Sequence, residues 1–380
     1  MPLFRRKQRL NLALQGGGAH GAFTWGVLDR LLQDEALEFG WVSGTSAGAV
    51  NAVAMASGLA VGGQDQKGRE AGRKEARETL RRVWEAVESA GVSDLVRMNP
   101  FLWGLTKTSF SSMGGMLSPY DFNPMGFDPF RKLLEANIDF AKLRIDTGSG
   151  VELLIAATDV GTGRARLFRR AEMSVEAVLA SACLPQIHHA VEIEGRAYWD
   201  GGFSANPDVV TLAVESPVED TLIVQLNALD RPASPRTARD IAAQVNNITF
   251  NQPLLKDIDM IVAAQQEIGR GGWFRPRTGR LARLGRHRFH IIDAGRHTAS
   301  LGADSKATPE RNMLAQLFRA GRTEAHRWLE RNRAAVGYHQ TADLAQRYLA
   351  RSDRSRLGQT AADPQPAPDD DTPLPAGNNI

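Results

Sequence analysis

The chain has 380 residues, 42% of them hydrophobic, with 46 Lys and Arg against 43 Asp and Glu for a net charge of +3. That length and hydrophobic content suffice for one large core, and so small a net charge gives no global reason to expect a nucleic-acid partner. Cys183 is the only cysteine, which excludes an intrachain disulfide and suits a reducing compartment, so a cytoplasmic location is expected.

The start, MPLFRRKQRLNLALQGGG, is basic, but its apolar stretch is about six residues long and broken by glycines, too short for the core of an export signal. No run approaches the roughly 18 apolar residues of a spanning helix, so any membrane contact is expected to be peripheral. Leu10 to Gln15 reads as a buried strand, and beyond the glycines Val27, Leu28, Leu31 and Leu32 recur at helical spacing. A second strand, Phe39 to Ser43, runs into GTSAG at residues 44–48, and the small-residue run AGAVNAVAMASG suits a tightly packed helix.

Residues 59–78 are polar and glycine-bearing, and an amphipathic helix follows, marked by Leu80, Val83, Trp84 and Val87. The stretch 100–130 places Trp103, Phe110 and other large apolar residues among serines and glycines without a period. It reads as an apolar flap or pocket wall, or as an ordinary satellite of the core. Further strands are expected at 151–157, 164–168, 197–199, 221–227 and 288–293. Strands alternating with helices imply an α/β fold with a mainly parallel central sheet flanked by helices on both faces. Thr308 and Pro309 signal the start of a helix with Leu314, Leu317, Phe318, Ala325, Trp328 and Leu329 on one face. From Ser352 the composition turns to Pro, Ala and Asp, with little to bury, and disorder is expected.

Gly16, Gly18 and Gly21 spell the dinucleotide fingerprint GxGxxG. Such a site needs an acid at the tip of the second strand, about 20 residues further on, and here that tip is Gly44-Thr45-Ser46-Ala47-Gly48. GTSAG is instead the nucleophile-elbow pattern GxSxG, in which small neighbours let strand and helix approach around a strained serine; a plain helix N-cap is the competing reading of Ser46. Consecutive glycines at a helix start offer backbone N–H groups to a developing oxyanion as readily as to a phosphate. None of the eight histidines is marked as catalytic by its setting. Chain order alone leaves Asp230 or Asp293 with His290 or His297 open as partners of Ser46. The better candidate is Asp200 in AYWDGGFSANP, where a strand delivers a carboxylate to a Gly-Gly turn, although Asp-Gly is also a routine hairpin turn.

Together QGGGAHGAF, GTSAG, ASACLPQI and the DGG at 200–202 resemble, in order and approximate spacing, the blocks of the patatin-like phospholipases, over about residues 10–230. The resemblance implies the three-layer α/β/α fold of that family and a Ser–Asp dyad without histidine, with Ser46 as nucleophile and Asp200 as base. It implies an oxyanion hole at Gly16, Gly17 and Gly18, and a lipid or other acyl-ester substrate cleaved without metal or organic cofactor. His20 stands where the family usually has Arg or Lys, and would supply a cation only when protonated. A carboxylate base needs a raised pKa, for which burial beside Tyr198, Trp199 and Phe203 would serve.

The expected division is a basic segment 1–9, a catalytic domain 10–230, a mostly helical extension 231–350 packed on it, and a tail 351–380. Trp103 and Phe110 are candidate acyl-chain contacts. Other acyl substrates (thioesters, storage polyesters) and a non-catalytic lipid-binding scaffold remain alternatives. Between Glu267 and Asp293 stand Arg270, Arg275, Arg277, Arg280, Arg283, Arg286 and Arg288 with no acid, beside Trp273 and Phe274. They read either as a dock for an anionic membrane or as arginines paired within the fold; nucleic acid is not expected, and the oligomeric state is open.

Overall fold

The computed structural model describes residues 7–97, 118–126, 128–145, 151–229, 234–270, 278–299, 301, 303–306 and 309–349. Trp103, Phe110 and the 351–380 tail lie outside the described residues.

The strands are β1 (Gln8–Leu14), β2 (Leu37–Thr45), β3 (Glu152–Asp159), β4 (Ala165–Arg169), β5 (Val191–Ile193), β6 (Arg196–Asp200), β7 (Asp220–Gln225) and β8 (Arg288–Asp293). They form one sheet in the order β5-β6-β3-β2-β1-β7-β8, with β4 also paired to β3. The run β3-β2-β1-β7-β8 is parallel throughout. β4 and β6 pair antiparallel with β3, and β5 with β6, so one end of the sheet is antiparallel. Because β2 and β7 flank β1 on opposite sides, the order reverses at β1, the switch point at whose carboxyl edge open α/β sheets place their ligands.

Alternation sorts the strand residues between two cores. Leu10, Leu12 and Leu14 of β1, Leu153 and Ile155 of β3, and Leu222 and Val224 of β7 enter the larger one. Ala13, Leu154 and Ile223 enter the other. The larger core is closed by α1 (Gly21–Leu31), α2 (Ala47–Leu59), α3 (Gln66–Arg97), α4 (Val175–Ser181) and α7 (Arg311–Asn332). The smaller one is closed by α5 (Ala238–Arg270), by residues 209–214 and by Leu284 of α6 (Gly279–Arg286). Two helical layers around a sheet are the expected three-layer arrangement.

α2 is buried from Ala47 to Gly58 between the sheet and α3, as its small side chains require. α3 begins well before the apolar period that announces it. A Cβ on Gly58 of α2 would lie 2.2 Å from Ala76 Cα, and one on Gly68 2.5 Å from Gly63 Cα, so the glycines that read as loop are where two backbones meet. α7 starts at Arg311 with Glu310 as N-cap and no side-chain cap bond. The Thr308–Pro309 signal therefore falls two residues early, and Thr308 lies outside the described residues. The expected face of α7 is buried at Leu314, Leu317, Ala325, Trp328 and Leu329, while Phe318 lies against Trp25 with ring centroids 4.0 Å apart.

α1 and α7 cross with their backbones in contact. A Cβ on Gly26 would fall 2.0 Å from the Phe318 carbonyl oxygen, and one on Gly321 2.0 Å from that of Phe23. Among the described residues no helix is long and apolar enough to cross a membrane.

Candidate active site

Three turns meet at the carboxyl edge. β2 passes into α2 through Ser46, whose φ of 54° is one of two positive values among the described non-glycine residues. A left-handed backbone is uphill for a residue with a Cβ and persists only where its surroundings impose it. The neighbouring glycines show what imposes it: a Cβ on Gly44 would sit 2.6 Å from the Gly48 carbonyl oxygen, and one on Gly48 2.1 Å from that of Leu14. The Ser46 N–H donates to Ser181 Oγ of α4 at 3.0 Å. Ser46 stands in the N-cap position of α2 but makes no side-chain cap bond, so its hydroxyl is not spent on the helix.

Asp200 ends β6 and is fully buried. Its N–H donates to the Cys183 carbonyl at 2.7 Å and its own carbonyl accepts from Thr158 Oγ1 at 2.8 Å, which fixes the backbone on both sides. Oδ1 accepts from the Gly202 N–H at 2.7 Å. Oδ2 is buried with no regular hydrogen bond. Burial pushes this carboxyl up to about 7, against the smaller opposing effects of the Gly202 N–H and the Ser46 hydroxyl. The hydroxyl thus acts on Asp200 from a looser geometry than a formed hydrogen bond, as catalytic pairs commonly do without substrate. Of the expected aromatic neighbours, Phe203 packs on Phe250 of α5 at 5.0 Å between centroids and Tyr198 is buried against Phe168.

The glycine loop follows β1. Gly18 has a φ of 57°, and a Cβ on it would lie 2.3 Å from the Lys306 carbonyl oxygen. The N–H of Gly16, a candidate oxyanion donor, here donates to Asn206 Oδ1 at 2.7 Å. Among the described residues no acceptor meets the N–H groups of Gly17 and Gly18. These two begin the turn into α1, where the helix dipole adds positive potential.

Asn206 has no marked role in the sequence, although it stands six residues after Asp200. Fully buried, it holds Gly16 through Oδ1 and donates from Nδ2 to the Phe250 carbonyl at 2.8 Å, joining the loop to α5. Gln15 does similar service. Its Oε1 accepts from the N–H groups of Leu226 and Asn227 at 2.8 and 2.9 Å, and its Nε2 donates to Asn251 Oδ1 at 3.3 Å. A buried Asn and a buried Gln are the only local signals for these roles, and neither names a partner.

His20 is buried, with Nε2 2.7 Å from Ser305 Oγ. The cation nearest the loop by bonding is Lys306, whose Nζ donates to Asn227 Oδ1 at 2.6 Å, while Asn227 Nδ2 reaches the Gly16 carbonyl at 3.5 Å. Among the described residues no histidine bonds to Ser46 or Asp200. His290 is buried between Thr341 Oγ1 at 2.8 Å and Asp220 Oδ1 at 3.2 Å, with Asp220 at the opposite, amino end of β7. His297 pairs with Glu324 at 3.1 Å, Asp293 pairs with Arg347, and Asp230 lies outside the described residues. Cys183 is buried, its thiol pushed up to about 12 by desolvation, and is no competing nucleophile.

Of the described arginines in the cluster, Arg283, Arg286 and Arg288 are tied to the protein, while Arg280 is exposed. Arg283 donates to the carbonyls of Val214, Glu215 and Ser216, Arg286 meets Glu219, and Arg288 meets Asp220 at 2.7 Å. Trp273, Phe274, Arg275, Arg277 and the side chain of Arg270 lie outside the described residues.

Comparison with known proteins matches residues 12–213 to the patatin-like phospholipase family. No curated protein matches the chain significantly. Among solved structures, VipD from Legionella pneumophila superposes with a TM-score of 0.40 at 14% identity, over 85% of this chain and 67% of that one, too loosely for residues to be matched.

Proposed function

The chain belongs to the patatin-like phospholipase family, and from that premise we propose that it is a serine hydrolase of lipid acyl esters working through Ser46 and Asp200. The observation that carries this reading is the left-handed Ser46 next to a fully buried carboxyl pushed up to about 7. A serine hydroxyl is a poor nucleophile until a base accepts its proton, and an ordinary carboxylate is too weak a base to do so near neutral pH. Desolvation strengthens that base without a histidine.

Ser46 Oγ attacks the ester carbonyl carbon while its proton passes to Asp200 Oδ2. The tetrahedral oxyanion is held by the N–H groups of Gly17 and Gly18, with Gly16 locked by Asn206 to keep the turn in place. As the intermediate collapses, Asp200 returns the proton to the departing alcohol oxygen, leaving the acyl group on Ser46. Water then attacks the acyl-enzyme, Asp200 takes its proton, and the carboxylic acid leaves as Ser46 recovers its own.

The test is labelling by a fluorophosphonate probe together with hydrolysis of a phospholipid and of a water-soluble butyrate ester. Ser46→Ala is expected to abolish all three while preserving the circular-dichroism spectrum. Labelling or turnover that persists in Ser46→Ala overturns the assignment.

A further inference from the structure

α5 has two halves of different character, divided at Pro253. The second half buries Leu254, Ile258, Ile261 and Val262 in the smaller core. The first half crosses the carboxyl edge of the sheet. Its inner side lines the candidate site: Phe250 packs on Phe203, a Cβ on Gly202 would lie 2.3 Å from the Phe250 ring, and Asn247 and Asn251 donate to the Ala228 carbonyl at 3.4 and 3.2 Å.

Its outer side is apolar and open. Ile241, Val245 and Ile248 fall at i, i+4 and i+7 on one face and are 46%, 58% and 49% exposed. The surrounding stretch, IAAQVNNITFNQPLL at residues 241–255, contains no Asp, Glu, Lys or Arg. An exposed helix face that serves only solubility carries charges along its length; here the charges stop at Arg239 and Asp240 in the first turn and resume only at Lys256.

We infer that the first half of α5 is the surface by which the protein sits on a lipid–water interface, with Ile241, Val245 and Ile248 entering the boundary between headgroups and acyl chains. The inference rests on the reading of the site as a lipid hydrolase, and adds to it how the site meets its substrate. Three arguments select a lipid surface. Three half-exposed side chains offer roughly 300 Å², well below the roughly 800 Å² per partner of a stable protein interface, whereas insertion into a headgroup layer needs only a few anchors. The absence of charge fits a neutral or zwitterionic surface, while the described arginines of 280–288 other than Arg280 are turned to protein groups. The helix that would enter the lipid is also a wall of the site, through Phe250, so docking holds the site one helix away from the interface.

The test uses the full chain carrying Ser46→Ala, so that no lipid is consumed, sedimented with vesicles of pure phosphatidylcholine. Binding is expected that does not weaken as salt is raised, and Val245→Asp and Ile248→Asp should each reduce it about tenfold or more. Met260→Asp, on the exposed side of the second half, should retain it. In the chain with Ser46 intact, the two α5 substitutions should lower the ratio of vesicle-phospholipid hydrolysis to butyrate-ester hydrolysis by a similar factor. No binding by the unsubstituted surface, or binding that survives both substitutions, overturns the inference. So does a fall in molar mass by light scattering on Val245→Asp, which would make the stripe a contact between copies. Failure of the catalytic reading is seen separately, in a Ser46→Ala chain that still cleaves the butyrate ester.

Discussion

Asp200 gathers the opposing demands of the site into one carboxyl group. As the base of the proposed mechanism it must be ionised, so kcat/KM should rise with pH through about 7, where burial has placed its titration, and fall at lower pH as Asp200 holds its proton. A profile whose rising limb lies near 4 would mean that the base is an ordinary solvated carboxylate. The same burial opposes folding. Unfolded, Asp200 titrates near 3.8; folded, near 7; between these values the native state binds more protons, so stability declines as pH rises across that window. Asp200→Asn should therefore lower kcat by about a thousandfold or more and at the same time raise the melting temperature at pH 8, with little gain at pH 4. A variant that loses activity and stability alike at pH 8 would show that the carboxylate is held by contacts stronger than its desolvation.

Glycine does most of the positioning among the helices. α1, which carries the glycine loop at its start, is pinned by α7 where Gly26 and Gly321 bring the two backbones together. Gly321→Val should lower the melting temperature by about 5 °C or more, since a branched side chain there meets the Phe23 carbonyl and not a side chain that can move aside. An unchanged melting temperature would mean that the crossing is slack. Such contacts explain what the sequence made legible and what it hid. β1, β2 and the GTSAG turn are readable because hydrophobic period and small-residue spacing are local. The start of α3 is not, because Gly68 and Gly72 read as loop until Gly62 and Gly63 are seen against them. The short strand β5 has no local period long enough to announce it, and the strands read at 164–168 and 197–199 carry no local mark of their antiparallel direction. Asp200 could be singled out as a candidate beside its Gly-Gly turn, whereas Asn206 and Lys306 meet the glycine loop from 190 and roughly 290 residues away, and nothing near them in the chain names that target.

The residues after 230 complete the molecule that the first 230 begin. β8 extends the parallel sheet beside β7, α5 walls the site, α7 covers α1, and Gln8 Nε2 near the start donates to the Arg333 carbonyl at 2.8 Å. A chain ending at Leu229 should accordingly give no soluble protein that labels with a fluorophosphonate probe, although it holds Ser46, Asp200 and all three glycines; labelling of that fragment at the full-length rate would show that the later residues are dispensable. The crossing of Gly26 with Gly321 also sets a clock. A ribosome makes about 5–20 residues per second, so Ser46 and Asp200 exist for several seconds before α7 does. During that interval the face of α1 that α7 covers is bare and Gly18 lacks its contact with Lys306, although Asn206 already holds Gly16. In the proposed mechanism the order of synthesis then keeps the glycine turn short of its final contacts until α7 has left the ribosome.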